Sequence, residues 1–350
     1  MNGPLLLSVA DLADGAAHAP VLGPDAAPVD PIVGIELGAG PSAAVLSRAV
    51  ERARSHDRLL VGVHDGTDLP EAARTLSAYL DLTLITSGRS LPRPYVGVED
   101  PKAALGGLWE AASANPRAAF VLGGVLRASA ALPVAEALDV ESFAYSTLLA
   151  GPEFSGWLAG RGTVNAPPEV TDPVLVSRDG DTLRLTLNRP ERRNAYGRLL
   201  RDALVEGLAL AEADPSVRRV LLDGAGPVFC SGGDLAEFGT APDLTTAHLV
   251  RTRAGAALPL HRLRDRVTVR VHGTCVGAGV EIPSFARTLI AAPGTTFRLP
   301  EVAMGLIPGA GGTVGLPRRI GRWRTLYLAL TGLELDAGTA LSWGLVDRLS

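Results

Sequence analysis

Residues 269–283 read Val269-Arg270-Val271-His272-Gly273-Thr274-Cys275-Val276-Gly277-Ala278-Gly279-Val280-Glu281-Ile282-Pro283. Apolar residues alternate at Val269 and Val271, as in a half-buried strand. Three glycines then form a turn, and Pro283 is tolerated only in the first turn of the helix that follows. This arrangement puts the N–H of Ala278 and its neighbours at a helix N-terminus, where an anion or a developing oxyanion is stabilised. Taken alone, the same residues also describe a tight strand-to-helix turn with a solvated Glu281.

Two flanking segments extend the pattern. Upstream, the strand Val220–Leu222 leads into Val228-Phe229-Cys230-Ser231-Gly232-Gly233-Asp234-Leu235. Paired glycines there let a backbone approach a ligand and present its N–H groups, although Gly-rich turns are also common in ordinary loops. Downstream, Phe297 to Thr313 sets Glu301 in an apolar stretch. Burial of an unpaired glutamate is costly and raises its pKa, which suits acid/base chemistry; a helix cap or a surface position is the plain alternative. Earlier still, Leu183, Leu185 and Leu187 mark one side of a strand. A turn follows over 188–194 and a helix over 197–212.

Together these segments resemble the crotonase (enoyl-CoA hydratase/isomerase) superfamily. The similarity begins at Leu187-Asn188-Arg189-Pro190 with Arg193-Asn194-Ala195. It ends at Thr331-Gly332, Ala337-Gly338-Thr339-Ala340 and Gly344-Leu345-Val346-Asp347, so it covers about residues 172–350. The resemblance implies an α/β fold, the crotonase-like ββα spiral, and an acyl-CoA thioester as partner. It further implies an oxyanion hole from the N–H groups of Gly233 and Ala278, worth a few kcal/mol per donor. By resemblance Glu281 activates water and Glu301 delivers the α-proton. Arg192, Arg193, Ala195, Ser231 and Gly277 fall at substrate or CoA positions, with a solvated turn equally open for the two arginines.

Retention of both glutamates favours a hydratase. Isomerases of the family usually keep only the carboxylate at 301. The hydrolases carry Asp where this chain has Gly309 and lack a Glu at 281. Cofactor-free dioxygenases, which also have an extra N-terminal region, and a non-catalytic acyl-CoA-binding scaffold are the other readings. No metal or redox cofactor is implied, since CoA enters as part of the substrate. A trimer or hexamer is expected by resemblance. Ala278 departs from the glycine of the best-known hydratases, and Pro283, Ser284 and Arg287 are unusual after Glu281.

The first half reads differently. Residues 1–30 suggest an irregular arm. From 31 to 165 we expect a degenerate crotonase-like domain: strand Ile32–Leu37, turn Gly38–Pro41, a helix capped by Ser42, and strand Leu59–Val63 repeat the outline of the second half. No Ser-Gly-Gly-Asp and no counterpart of Glu281 or Glu301 follows, so this copy is expected to be catalytically silent. Helices are expected over 115–162, with a linker through Gly162–Pro168 and a boundary near 170. The segment Ala135 to Leu158, with Glu141-Ser142-Phe143-Ala144-Tyr145-Ser146, resembles the C-terminal helices of the family. Ordinary members carry those helices after the Gly-Leu-Val-Asp segment, which here lies just before Ser350. The N-terminal half is therefore expected to supply them, in cis or from a neighbouring subunit, unless it is an unrelated helical domain. Gly38-Ala39-Gly40 imitates a dinucleotide fingerprint but lacks the acidic strand-end residue about 20 positions on, so no NAD is expected.

Composition bounds the rest. The chain has 350 residues, enough for about two domains. A net charge of −4 argues against a general nucleic-acid or membrane binder. Two cysteines without CxxC spacing argue against a disulfide framework and fit a reducing compartment, with the cytoplasm as the expected location. The N-terminus has no basic region ahead of Leu5-Leu6-Leu7, and no apolar run reaches about 18 residues. Lys102 is the single lysine among 33 basic residues, so phosphate contacts must come almost entirely from arginine.

Overall fold

A computed structural model describes residues 3–38, 40–86, 91–165 and 170–350. Two main sheets, each ordered as in the sequence, carry the two halves: the first is all parallel and the second is parallel apart from one antiparallel edge pair. The first comprises β1 (Leu5–Ser8), β2 (Ile32–Glu36), β3 (Leu59–His64), β4 (Leu82–Thr86) and β5 (Tyr95–Val98), in the order β1-β2-β3-β4-β5. The helices α1 (Val9–Ala13), α2 (Ala43–Arg54) and α3 (Glu71–Ser77) lie between its strands. Every residue from Leu59 to Val63 is buried, the near-continuous apolar run of a parallel strand covered on both faces.

The expected irregular arm over 1–30 is corrected here. Leu5–Ser8 is an edge strand in register with Val33–Glu36, and Ser8 and Asp11 form a reciprocal cap on α1. A four-residue edge strand inside an Ala/Pro/Gly-rich composition leaves little periodic signal. Ser42 does cap α2, accepting from Val45 N at 3.4 Å. Ala39 of the Gly38–Gly40 turn and residues 166–168 of the expected linker lie outside the described residues.

Helical hairpins connect the halves: α4 (Pro101–Ala114), α5 (Pro116–Ser129), α6 (Val134–Leu149) and α7 (Pro152–Gly160). Pro101, Pro116 and Pro152 sit at helix starts, where their missing N–H costs nothing.

The second half opens with the antiparallel pair β6 (Val174–Asp179) and β7 (Thr182–Leu187). Leu183, Leu185 and Leu187 point inward, as their alternation requires. There follow α8 (Arg198–Ala213), β8 (Arg219–Gly224), α9 (Leu244–Arg253), α10 (Ala257–Leu263), β9 (Val267–Val271), β10 (Thr274–Val276), α11 (Ala278–Glu281), β11 (Thr288–Ala291) and β12 (Thr296–Arg298). The chain closes with α12 (Gly312–Thr331, interrupted at Gly321), β13 (Leu335–Asp336), α13 (Ala337–Trp343) and β14 (Arg348–Leu349). The main sheet runs β14-β11-β9-β8-β7-β6, and a small sheet β10-β12-β13 stands beside it. Among the described residues, the first half has one sheet and no counterpart of the small one. Loops leaving the carboxyl ends of β8 and β9 carry the glycine-rich segments, where open parallel sheets bind ligands. No described helix is long and apolar enough to cross a membrane.

One continuous core spans both halves, with Leu122, Leu126 and Phe154 joining Leu306, Val314 and Leu326. A buried polar centre reinforces that junction. Asp81, 1% exposed, accepts from Leu60 N (2.9 Å) and Arg127 Nη1 (2.9 Å), and pairs with Arg322 of α12 at 3.3 Å. Trp323 Nε1 donates to Leu80 O at 3.1 Å. Removing the carboxylate leaves two half-buried guanidinium groups without a counter-charge. Asp81→Ala is therefore expected to lower unfolding free energy by about 3–5 kcal/mol, measured by urea denaturation.

Candidate functional site

The two glycine-rich loops run side by side. Val276 N donates to Cys230 O at 3.1 Å, and Phe229 N to His272 O at 2.9 Å. A Cβ at Gly279 would collide with Cys230 O, so only glycine allows this approach. Gly277 begins α11 at φ +48, in the left-handed region, and a Cβ there would lie 2.5 Å from Glu301 Oε1. The helix itself is one turn long and tightens to a 3-10 turn over Ile282–Phe285, which accommodates Pro283; Ser284 Oγ donates to Glu281 O. The N–H groups of Gly233 and Ala278 line one cavity, and neither has a hydrogen-bond partner among the described residues. Two free donors facing a cavity are what a thioester oxygen would need.

Glu281 and Glu301 line the same cavity, of ≈ 450 Å³. Glu281 ends α11, and its Oε2 accepts from Ala310 N (2.7 Å) and Gly312 N (2.8 Å). Burial pushes its pKa well above the usual carboxylate range, the charges of Glu301 and Glu141 add to this, and the two amide bonds oppose it. Glu301 starts the 3-10 turn Glu301–Met304, and its Oε2 is buried without a hydrogen bond. Burial first, then Glu141, raises Glu301 to about 8.

A third carboxylate comes from the first half. Glu141 of α6 accepts from Gly311 N (2.8 Å) through Oε1, and from Thr313 N (2.8 Å) and Thr313 Oγ1 (2.7 Å) through Oε2. Burial raises its pKa to about 7 against those hydrogen bonds. Sequence reasoning placed Glu141 in the resembling helical segment but gave it no role. The available signal was an acid in the inward stripe Val134, Ala137, Leu138, Glu141, Leu148. Around it, α6 and α7 roof the cavity in cis. Tyr145 lies against Gly309, Phe154 against Gly305, and Trp157 packs edge-on to Phe238 with centroids 5.8 Å apart.

A second cavity, of ≈ 480 Å³, adjoins the first through Gly233, Asp234, Phe238 and Glu301. Arg192, Arg193, Ala195, Ser231 and Gly277 line it. The two arginines differ. Arg192 Nη2 donates to buried Asp234 Oδ1 at 2.6 Å, so it orders the loop, whereas Arg193 is exposed in a left-handed turn, its carbonyl accepting from Ser231 N.

The sequence profile described as "Enoyl-CoA hydratase/isomerase" matches residues 179–350. A mevalonyl-coenzyme A hydratase of Beauveria bassiana is 34% identical over 194 residues, 52% of this chain and 68% of its own length. The chain belongs to the enoyl-CoA hydratase/isomerase family. The 1,2-epoxyphenylacetyl-CoA isomerase of Escherichia coli is 38% identical over 178 residues, 49% of this chain and 68% of the relative. A solved enoyl-CoA hydratase of Mycobacterium smegmatis is 31% identical, covering 51% of this chain and 70% of that one, with a TM-score of 0.47. Both hydratases and isomerases thus stand among its family relatives.

The raised pKa of Glu301 has a measurable sign. Its carboxyl is about 8 in the fold and about 4.3 in an unfolded chain. The stabilisation from holding that proton is complete below the unfolded value and is lost as pH rises through about 8. Glu301→Gln is expected to leave Tm near wild type at pH 4.5 and to raise it at pH 8.5, as read by thermal melts at both.

Proposed function

We propose that this chain adds water across the α,β double bond of an acyl-CoA thioester. The observation that carries this reading is the placing of Glu281 and Glu301, both buried, on one cavity with the unpartnered N–H groups of Gly233 and Ala278. The thioester oxygen would accept from the two N–H groups and gain enolate charge in the transition state. Glu281 takes a proton from water as the water oxygen bonds the β-carbon. Glu301 delivers its proton to the α-carbon, and the enolate collapses to the thioester. Its protonated form at neutral pH suits that donation. Burial raises the Glu281 pKa as well; two amide donors oppose that rise, and a protonated Glu301 removes the neighbouring charge that adds to it, both favouring the anion a base needs. The proton gained by Glu281 must then return to Glu301 or exchange with solvent before the next turnover.

The adjoining cavity would carry the pantetheine, with Arg193 as the cation free to meet a phosphate and Arg192 holding Asp234. We read the first half as catalytically silent. Its β5 runs into α4 through Asp100, which caps Lys102 N (2.9 Å) and Ala103 N (3.0 Å), with no glycine-rich turn there.

Turnover decides the assignment. An enoyl-CoA thioester mixed with the protein should lose its conjugated absorbance, and Glu281→Gln and Glu301→Gln should each lower kcat by about 10²–10⁴. The wild-type rate should also fall as pH rises past about 8, as Glu301 loses its proton. Double-bond migration without hydration, with Glu281→Gln unimpaired, would instead assign an isomerase.

A further inference from the structure

Arg251, on α9, borders the same cavity from the side of α6. Its Nε donates to Ser142 Oγ (3.1 Å) and its Nη2 to Ser142 O (3.2 Å) and Ser146 Oγ. Nη1 has no hydrogen-bond partner, and no carboxylate lies within ion-pair reach of this guanidinium among the described residues. Arg127 and Arg322 have Asp81 beside them, Arg192 has Asp234 and Arg319 has Asp347, while the buried Arg58 and Arg324 are met by backbone carbonyls; Arg251 has neither an acid nor a full set of carbonyls, and its Nη1 is left over. A guanidinium stays charged at neutral pH. The serines and the Tyr145 ring below it offset part of the cost of partly burying that charge, and an anion at Nη1 would offset the rest.

The neighbouring groups point the same way. Arg251 lies over the Tyr145 ring, 4.6 Å from its centroid, and that ring also packs on Gly309. The Tyr145 hydroxyl has no hydrogen-bond partner among the described residues. Glu141 acts on Arg251 through space but makes no contact ion pair with it, its oxygens being turned to Gly311 and Thr313. Leu138, Leu149, Leu158, Leu244 and Val250 give the wall its apolar part, and Arg198, Arg201, Asp234 and Glu237 also line the cavity. A plain alkyl chain would bury the cation against hydrocarbon.

We propose that the acyl group accepted here ends in a carboxylate, with Arg251 Nη1 and the Tyr145 hydroxyl as its donors. The substrate class is then a dicarboxylic acid joined to CoA through one end. This rests on the reading of the site as an acyl-CoA site, but not on which reaction it performs.

Binding of saturated thioesters tests it without turnover. Calorimetry would compare succinyl-, glutaryl- and adipyl-CoA with butyryl-, valeryl- and hexanoyl-CoA on the full chain. At the length that fits, the carboxylated thioester should bind about tenfold tighter or better, the scale of one charge-assisted hydrogen bond. Arg251→Gln should bring that ratio near one, and Arg251→Lys should keep part of it. A purely structural Arg251 would weaken both thioesters alike and leave the ratio unchanged. Equal affinities at every length in the wild type, or an unchanged ratio in Arg251→Gln, would overturn the proposal. Selective binding with no hydration of the matching enoyl-CoA would overturn the hydratase reading and leave this one standing.

Discussion

Four consecutive backbone N–H groups, of Ala310, Gly311, Gly312 and Thr313, alternate between two buried carboxylates. The even pair donates to Glu281 and the odd pair to Glu141. They open α12, so the helix dipole adds to the hydrogen bonds. The geometry permits little side-chain bulk: a Cβ at Gly312 would lie 2.7 Å from Glu281 Oε2. Fixing this loop orients Glu281 toward the cavity. It also holds α6 against the second half, because Glu141 can reach those amides only from above the site.

The arrangement has a thermodynamic cost that the rest of the molecule offsets. Three buried carboxylates share one region, and burial and mutual repulsion raise the pKa of each. Such groups oppose folding as they ionise. The continuous core between the halves and the Asp81 centre with Arg127 and Arg322 supply the opposing stabilisation. Strain at a site and stability away from it are the usual division in proteins whose acids must be protonated at neutral pH.

Much of the second half was legible because its signals are local. The Leu183, Leu185, Leu187 alternation, the double-glycine turn at Gly232 and the Gly277-Ala278-Gly279 helix start each depend on neighbours within a few residues. Glu281 and Glu301 stood out as acids in apolar surroundings. What stayed hidden depends on distant partners. Leu5–Ser8 becomes a strand only because β2 lies beside it. Arg192 reads as a free cation until Asp234, far along the chain, is folded against it. Glu141 and Arg251 are unremarkable letters in helices, and their meaning arises only when α6 meets α9 and the opening of α12.

The order of the chain then matters to its making. Glu141 precedes Gly311 by 170 residues, so on a ribosome adding about 5–20 residues per second it emerges roughly 10–30 s before the loop that will hold it. During that interval its carboxylate lacks the native donors Gly311 and Thr313. Closing that contact is linked to proton uptake, because burial raises the pKa of Glu141 to about 7. Completion of the site is thus a long-range and proton-linked contact, more stable in mildly acidic than in alkaline solution.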